Sequence, residues 1–368
     1  MKIALLGTRG IPASYSGFET CVEQLGQRLV ARGHDVTVYC RSHHVTYAGD
    51  EYLGMRLVRL PTVPNKYLDT LVHSLLSSLH ALGRAYDIAL YFIAGNSPVT
   101  WLPRVVGTKT VLNVDGLDWK REKWPRLAKR YLMLAEYLAT KLPNAHVTDS
   151  CVVQRYYQER FRSRPVYIPY GSEVTPLPPG QTLKRFELKR HRYVLFVGRL
   201  VPENCAHHLV EAFRLLDTDL KCVVVGDAAY SESYIASLKE RARDDPRVVF
   251  TGYVFGEGYR ELSSHPYAFV ETSAVGGTHP ALIEAMAFGS CVVVNNTPQN
   301  LEVIGDAGLA YNGTVGSASL RGVLQRLLAD PHLTERYGGM AKRHALQRYS
   351  WEAVTDQYEE LFRSLLVT

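Results

Sequence analysis

Residues 275–289 read VGGTHPALIEAMAFG, and this stretch determines how the second half of the chain is interpreted. Two glycines and a threonine run into Pro280, and a helical pattern follows that carries Glu284 in its second turn. Proline is favoured at the first helical position, so the preceding loop directs backbone N–H groups at an anion, backed by the helix dipole. A carboxylate one turn further on accepts hydrogen bonds from hydroxyls such as those of a ribose. The stretch predicts a nucleotide site; the alternative is an ordinary strand–loop–helix connection in which glycine serves the turn.

Length and composition indicate a globular protein of two domains. The chain has 368 residues, of which 46% are hydrophobic and 21% charged. Its six cysteines are scattered, with no Cys-x-x-Cys pair and no clustered histidine partners. This pattern predicts reduced thiols in a cytosolic protein and argues against a structural zinc or a disulfide scaffold. No window holds the ~18 uninterrupted apolar residues of a membrane span, and no signal-peptide pattern is expected at the start.

Short apolar runs alternate with helical periodicity along the chain, which is typical of βαβ units and parallel sheets. Strands are predicted at residues 2–7, 35–40, 88–92 and 110–114, and in a second series at 193–198, 222–226, 248–252, 268–271 and 291–295. A Pro/Gly-rich segment at 169–180 separates the two series and is predicted to bury little surface. We expect an α/β protein of two doubly wound, Rossmann-like domains that face each other across a cleft. Ligands are then expected at the carboxyl ends of the strands.

Two further loops favour an anionic ligand. The second strand series opens with a strand that ends in Gly198-Arg199, which places a permanent cation at the ligand edge of the sheet; the alternative is a surface arginine. The first strand runs into a long Gly-rich loop over residues 7–19, another place for backbone amides to meet an oxyanion. That loop lacks the Gly-x-Gly-x-x-Gly spacing of dinucleotide binders and the Gly-Lys-Ser/Thr ending of P-loops. A hydride-transfer enzyme and an ATPase are therefore disfavoured.

Together these motifs resemble the family 4 glycosyltransferases of the GT-B fold, across nearly the whole chain. The matching segments are the loop at Gly17, Val197-Gly198-Arg199, Gly252-Tyr253-Val254, and residues 284–289. Within that family, three segments resemble the subgroup of rhamnosyltransferases that use dTDP-rhamnose. They are GTRGIP at 7–12 with SGFE at 16–19, DGLDWKR at 115–121 followed by Lys123-Trp124, and GGTHP at 276–280.

The resemblance implies a division of labour between the domains. Residues 1–172 would bind the acceptor, residues 173–350 the nucleotide sugar, and residues 351–368 would form an amphipathic helix that packs back on the N-terminal domain. It implies that Glu284 binds the ribose, that the backbone around Tyr253 and Val254 lies by the base, and that Gly277, Thr278 and Arg199 hold the diphosphate. His279 would hydrogen-bond the diphosphate or the donor sugar, or else it only fills the loop. The family also implies retention of anomeric configuration, no cofactor, and no metal ion.

Two positions depart from the family pattern. The first of two glutamates that are usually separated by seven residues is replaced by Gly276, and the lysine usually found five residues after the arginine is replaced by Asn204. Asn204 can hydrogen-bond a phosphate but adds no charge. Arg199 is therefore expected to carry more of the leaving-group stabilisation, with Arg9 compensating from across the cleft.

Asp115 follows the fourth predicted strand, where many relatives carry a histidine beside the reacting sugar. A carboxylate there would orient the acceptor hydroxyl or steady an oxocarbenium-like transition state. The alternative is a turn aspartate in an Asp-Gly pair. We expect the acceptor to lie between the Gly17 loop, Asp115 and a basic helix.

That basic helix is predicted from residues 119–141, where seven lysines and arginines are interleaved with Trp119, Trp124, Tyr131 and Tyr137. Basic residues beside interfacial aromatics are typical of a helix resting on an anionic membrane. Nucleic acid is disfavoured because no recognition motif accompanies the segment and the net charge is only +6. A solvated helix face is the remaining alternative.

The sequence thus predicts a retaining glycosyltransferase, cytoplasmic and peripheral at the inner face of the membrane. It would move a sugar, rhamnose first among candidates, from a nucleoside diphosphate to a lipid-linked saccharide in cell-surface polysaccharide synthesis. Alternative donors are UDP-glucose, UDP-N-acetylglucosamine and GDP-mannose. A nucleotide-sugar epimerase and a non-catalytic binding protein are the other classes kept open.

Overall fold

A computed structural model describes residues 1–13, 17–65, 68–114, 116–120, 124–229 and 231–367. The chain forms two compact units, one of Met1–Gly171 with the C-terminal segment from Trp351, the other of Ser172–Ser350. Each unit is built around its own mainly parallel sheet. The prediction of an α/β protein with two Rossmann-like domains is confirmed.

The sheet of the first unit has eight strands in the described part of the chain. They are β1 (Lys2–Leu6), β2 (Asp35–Arg41), β3 (Glu51–Tyr52), β4 (Met55–Leu60), β5 (Ile88–Phe92), β6 (Lys109–Asn113), β7 (Ala145–Thr148) and β8 (Val166–Tyr167). Their spatial order is β3-β4-β2-β1-β5-β6-β7-β8, parallel throughout except for the β3–β4 pair. The central strand β5 is apolar along its whole length, and β1 is apolar after its first residue, Lys2, because helices cover both faces of such a sheet.

Four helices connect these strands. They are α1 (Gly17–Ala31), α2 (Asp69–Ala81), α3 (Arg126–Ala139) and α4 (Cys151–Phe161). In α1 the buried positions include Val22, Leu25 and Leu29, which recur at helical spacing and face the sheet. Short 3-10 helices at Ala94–Val99, Pro103–Val106 and Asp118–Lys120 complete the connections described in this unit.

The second unit contains six strands, again among the described residues. They are β9 (Tyr193–Val197), β10 (Lys221–Val225), β11 (Val248–Gly252), β12 (Ala268–Glu271), β13 (Val292–Asn295) and β14 (Leu309–Tyr311). All pair in parallel, in the order β11-β10-β9-β12-β13-β14. The five strands predicted for this half agree with β9 to β13 to within one residue at each end.

Eight helices surround the second sheet in the described part. They are α5 (Gln181–Arg185), α6 (Ala206–Arg214), α7 (Glu232–Ala242), α8 (Gly256–Ser264), α9 (Pro280–Phe288), α10 (Pro298–Ile304), α11 (Ser317–Ala329) and α12 (His332–Arg348). The core between sheet and helices is almost wholly aliphatic and aromatic, with Phe196, Phe213 and Leu320 at most 1% exposed. It provides a rigid base for the loops at the strand ends.

Strand order places the loops that matter for ligands. In an open parallel sheet, ligands bind where two neighbouring strands send their chains to opposite sides. In the second unit this switch point lies between β9 and β12, and in the first unit between β1 and β5. The loops that leave β9 and β12 contain Arg199 and the segment 275–279, the two features singled out in the sequence.

The last helix, α13 (Trp351–Val367), belongs to the first unit. It buries Tyr358 and Phe362, and the Tyr358 hydroxyl accepts a hydrogen bond from the Asn113 amide at 2.9 Å. Arg32, directly after α1, pairs with carboxylates of this helix, among them Glu359 at 3.0 Å. The C-terminal segment therefore packs on α1 and on the end of β6, two elements that lie far from it in the sequence.

Two predictions about the chain's organisation need correction. Pro169, Tyr170 and Gly171 are buried, although this segment was expected to bury little surface. The reason is Trp351, whose ring lies where a Cβ on Gly171 would be, 2.5 Å from its ideal position. Five of the described strands were not predicted: β4 is interrupted by arginines, and β3, β7, β8 and β14 are only two to four residues long. No helix among the described residues is long and apolar enough to cross a membrane.

Candidate functional site

The loop after β9 carries Arg199 at the switch point of the second sheet. The backbone here lies unusually close to the end of β10, since a Cβ on Gly226 would stand 1.9 Å from the Gly198 carbonyl oxygen. Gly226 has a φ of 138°, so glycine is required on both counts. Arg199 is half-buried, and its guanidinium makes no hydrogen bond or ion pair to any described residue. A cation placed in this way is available to an anionic ligand.

Asn204 connects this loop to the one after β12. Its side-chain amide donates to the Arg199 carbonyl oxygen at 2.9 Å, and its own carbonyl oxygen accepts from the Thr272 hydroxyl. One residue earlier, the Glu203 carbonyl oxygen accepts from the Ala274 N–H at 2.9 Å. The predicted contact of Asn204 with phosphate stays a prediction; in the structure its amide holds the backbone of Arg199.

The helix start predicted at Pro280 is present. Pro280 is the first residue of α9, and His279 before it has extended backbone with a φ of −95°. Gly277 and Thr278 are buried in the loop, and Leu282 donates its N–H back to the His279 carbonyl oxygen at 3.0 Å. Because the first turn of a helix has N–H groups without helical partners, this end of α9 favours an anion.

Gly276 and His279 are structurally linked. A Cβ on Gly276 would lie 2.7 Å from Cε1 and 3.0 Å from Nε2 of His279, so the imidazole occupies the space of a side chain at 276. The family pattern expects a glutamate at 276. In this chain the His279 ring takes that space, and the contact of His279 with the diphosphate or the donor sugar stays a prediction.

We expect Gly276→Ala to displace the His279 ring and also to strain the loop backbone locally, because Gly276 has a φ of 158° and a Cβ there would meet the imidazole. Loss of one hydrogen bond to a charged ligand costs about 1.5 kcal/mol, so the donor KM should rise about tenfold. His279→Ala should give a similar rise, and the double variant should be no worse than either single one. Steady-state kinetics of the three variants checks this. Additive effects would show that the two positions act separately.

Glu284 has a specific partner that the sequence did not indicate. The Tyr259 hydroxyl on α8 donates a hydrogen bond to Oε2 of Glu284 on α9. Burial raises the pKa of Glu284 above the ordinary glutamate range, and the hydrogen bond from Tyr259 lowers it in part. Tyr259 therefore orients the carboxylate and favours its charged form.

Tyr253 and Phe255 form an aromatic pair just after β11. Their rings are stacked with centroids 5.6 Å apart and planes inclined by 20°, and both are exposed, at 42% and 51%. Val254 between them is half-buried. Exposed stacked rings are unusual on a protein surface and suit a planar ligand. Phe255 was not predicted, although its position two residues after Tyr253 puts both rings on one side of an extended chain.

The predicted residues of the first unit lie at the end of β1. Arg9 is half-buried, donates its N–H to Glu19 at 3.1 Å, and accepts at its carbonyl oxygen from the Arg41 N–H at 3.0 Å. Gly17 is the first residue of α1. Asp115, predicted beside the reacting sugar, lies outside the described residues, and its role stays a prediction.

In the basic segment, the aromatic side chains that face outward are not the ones predicted. Trp119, Trp124 and Tyr131 are half-buried, and the Tyr131 hydroxyl donates to the Gly95 carbonyl oxygen at 2.6 Å. Tyr137 is 48% exposed and is joined by two leucines, Leu127 at 79% and Leu134 at 54%. The outward face of α3 thus presents leucines rather than tryptophans. Arg121 and Lys123 lie outside the described residues.

The expectation about cysteines is corrected at one position. Cys205 does have clustered histidine partners, because ligand atoms of Cys205, His207 and His208 lie within 4.8 Å of one another. In the sequence these residues form Cys-Ala-His-His at 205–208, which differs from the Cys-x-x-Cys spacing.

The fold and the site together define a class of protein: two Rossmann-like units, with an arginine and a helix start suited to a diphosphate at the switch point of the second sheet. Comparison with known families agrees. A model described as glycosyl transferases group 1 matches residues 191–330, and one described as a glycosyl transferase 4-like domain matches residues 16–171. The chain belongs to this glycosyltransferase family, with the GT-B fold.

Individual relatives are distant. The chain is 27% identical over 205 residues to O-antigen chain mannosyltransferase B of Escherichia coli, covering 53% of this chain and about half, 52%, of that protein. It is 27% identical over 276 residues to N-acetylgalactosamine-N,N'-diacetylbacillosaminyl-diphospho-undecaprenol 4-alpha-N-acetylgalactosaminyltransferase of Campylobacter jejuni, covering 72% and 73%. Among solved structures, Anabaena HepE in complex with UDP-glucose superposes with a TM-score of 0.81 at 18% identity, covering 99% and 100% of the two chains.

Proposed function

We propose that the protein is a retaining glycosyltransferase that moves a sugar from a nucleoside diphosphate to a hydroxyl of a lipid-linked saccharide. The observation that carries the proposal is that Arg199 and the start of α9 follow β9 and β12, the two neighbouring strands on either side of one switch point. A permanent cation that pairs with no described residue and a helix start together suit a diphosphate, and Glu284 lies one turn further along the same helix.

The site's chemistry follows from where charge develops. When the bond from the sugar to the diphosphate breaks, negative charge grows on the departing phosphate oxygens. Arg199 and the N–H groups at the start of α9 stabilise that charge more in the transition state than in the bound donor, which accelerates the reaction. These groups are preorganised, because Asn204 holds the Arg199 backbone and Pro280 starts the helix. On this account the diphosphate needs no metal ion.

The remaining donor contacts are assigned by chemistry. Glu284, oriented by Tyr259, accepts hydrogen bonds from the ribose hydroxyls. Tyr253 and Phe255 offer their stacked rings to the base. His279, in the space of a side chain at 276, contacts the diphosphate or the sugar. Rhamnose from dTDP-rhamnose is the first donor to test, with UDP-glucose, UDP-N-acetylglucosamine and GDP-mannose as alternatives.

We propose that the first unit binds the acceptor through Arg9, the loop at Gly17 and Asp115. A lipid-linked acceptor requires access to a membrane surface, and α3 offers a suitable face. Leu127, Leu134 and Tyr137 are exposed along one stripe of the helix, together with Arg130 and Lys141. Glu136 on the same helix is buried against the Tyr156 hydroxyl, so the stripe itself is basic and apolar. Such a face suits an anionic lipid surface.

We expect the double variant Leu127→Gln/Leu134→Gln to lose at least about tenfold in affinity for anionic vesicles, because burying one leucine contributes about 1.5–3 kcal/mol. Cosedimentation with phosphatidylcholine vesicles, with and without phosphatidylglycerol, measures this. Leu346→Gln, which changes an equally exposed leucine of the second unit, is the matched control. Equal binding by the double variant and the control would show that α3 is an ordinary solvated helix.

The function itself is tested by incubating the protein with each sugar nucleotide and a diphosphate-linked saccharide acceptor, and analysing the lipid product by mass spectrometry and NMR. We expect transfer from one donor with the anomeric configuration retained. Release of free sugar or of an epimerised donor without acceptor would favour the nucleotide-sugar epimerase. Binding of donor without any turnover would favour a non-catalytic binding protein.

A further inference from the structure

The first turn of α6 gathers three soft metal ligands. Cys205 precedes the helix with a φ of 50°, and His207 and His208 follow within the turn. One ligand atom from each residue lies within 4.8 Å of the other two, and all three side chains are partly accessible. Thiolate sulfur and imidazole nitrogen are the ligands that Zn²⁺ prefers, and three protein ligands with one open position are a common arrangement.

Both histidines are oriented by tyrosines. The Nδ1 atom of His207 lies 2.9 Å from the Tyr234 hydroxyl, and that of His208 lies 3.0 Å from the Tyr311 hydroxyl. Histidines that bind a metal usually engage their second ring nitrogen in this way, which fixes the ring and its tautomer. On the His208 ring, Nε2 is the nitrogen not engaged by Tyr311, and it faces Gly316, where a Cβ would stand 3.2 Å from it.

A solvent-accessible cavity adjoins the cluster. It has a volume of about 360 Å³ and is lined by Cys205, His208, Ala274, Asn295, Thr297 and Thr314, with neighbouring residues of the same loops. Its polar lining can hold a water molecule or a small ligand at the fourth position of an ion. The cavity also supplies the entry path that a metal site needs.

We propose that Cys205, His207 and His208 form a binding site for a single divalent ion of the Zn²⁺ type. The described residues contain one other cluster with suitable ligand spacing, His43, His44 and Asp69. There the Arg41 guanidinium lies 2.7 Å from the Asp69 carboxylate, so a cation would compete with a fixed positive charge. At the α6 cluster a neighbouring cation, Arg241, forms its ion pair with Glu211, which is not one of the three ligands.

The site adjoins the proposed diphosphate site in the chain. Asn204, which holds the Arg199 carbonyl oxygen, immediately precedes Cys205. A bound ion would fix the first turn of α6 and, through Asn204, the loop that carries Arg199. The site rests on its own residues and does not depend on the proposed transferase activity.

The test uses the full-length protein, stripped of metal with a chelator and titrated with Co²⁺. We expect one equivalent to bind and to produce a thiolate-to-Co²⁺ charge-transfer band in the near ultraviolet. Cys205→Ser should abolish the band, whereas Cys151→Ser, which changes an exposed cysteine of the first unit, should leave it unchanged. His43→Gln should also have no effect.

Competition with Zn²⁺ gives the affinities. His207→Gln and His208→Gln should each weaken Zn²⁺ binding at least about tenfold, and Tyr234→Phe about tenfold through loss of the orienting hydroxyl. Melting curves of the metal-free variants establish that each is folded. The proposal is overturned if no charge-transfer band appears, if the band survives in Cys205→Ser, or if the histidine variants bind Zn²⁺ like the unmodified protein.

Discussion

Arg199→Ala should lower kcat about a hundredfold or more while leaving the melting temperature nearly unchanged. Removing one preorganised donor to a developing oxyanion costs about 3 kcal/mol in activation free energy. In this chain the loss should lie at the upper end, because the position five residues later is Asn204 and supplies no second cation. The effect on kcat should exceed that on KM, since charge on the leaving phosphate grows only as the bond breaks.

The fold should tolerate this change. The guanidinium of Arg199 makes no hydrogen bond to a described residue, and the loop is held by backbone and by Asn204. Arg336→Ala, at an exposed arginine on α12 of the same unit, is the matched control and should retain full activity. If Arg199→Ala remains within a fewfold of the unmodified protein, the assignment of the leaving-group contact is wrong.

Glu284→Gln should weaken donor binding roughly 10- to 150-fold, because hydrogen bonds to a charged group contribute about 1.5–3 kcal/mol. The loss should appear with the nucleoside diphosphate alone, since the proposed contact is with the ribose and not with the sugar. Calorimetric titration with the diphosphate measures it, and Glu335→Gln on the surface of α12 is the control. A wild-type Kd in Glu284→Gln would place the ribose elsewhere.

The pH dependence of this contact has a definite sign. Burial raises the pKa of Glu284, and the carboxylate must be ionised to accept from two ribose hydroxyls. Donor affinity should therefore fall as the pH is lowered through that raised pKa, above the ordinary range of a glutamate. Tyr259 stabilises the ionised form, so Tyr259→Phe should move this acid limb to higher pH. In Glu284→Gln the limb should be absent; an unchanged limb would assign it to another group.

The fold could be predicted because its central strands are continuous apolar runs. Strands β9, β10, β12 and β13 are buried on both faces, which leaves a signal that a single sequence shows directly. Strand β4 is interrupted by two arginines, and β3, β7, β8 and β14 are too short for any periodicity, so these strands were missed. Burial of residues 169–171 depends on Trp351, which lies 180 residues further on in the chain, and no local pattern indicates such a contact.

The candidate site divides in the same way. The start of α9 and the position of Arg199 follow from local motifs, and the structure has both. The pairing of Tyr259 with Glu284 arises only when α8 packs on α9, so the sequence could not show it. The His279 ring fills the space that a side chain at 276 would occupy. The two residues are close in the sequence, but this contact depends on the orientation of the ring, which the residue types do not determine.

The central claim is that the second unit binds a nucleoside diphosphate at Arg199 and the start of α9. Thermal melting of the protein with dTDP, UDP, GDP, ADP and NAD tests it most directly, with Arg199→Ala alongside. A ligand at a hundred times its Kd adds about 2.7 kcal/mol to the folded state, or roughly 5–10 °C for a unit of this size. We predict such a shift with a nucleoside diphosphate, greatest with dTDP, and its loss in Arg199→Ala. No shift with any diphosphate, or a shift with NAD alone, would contradict the account.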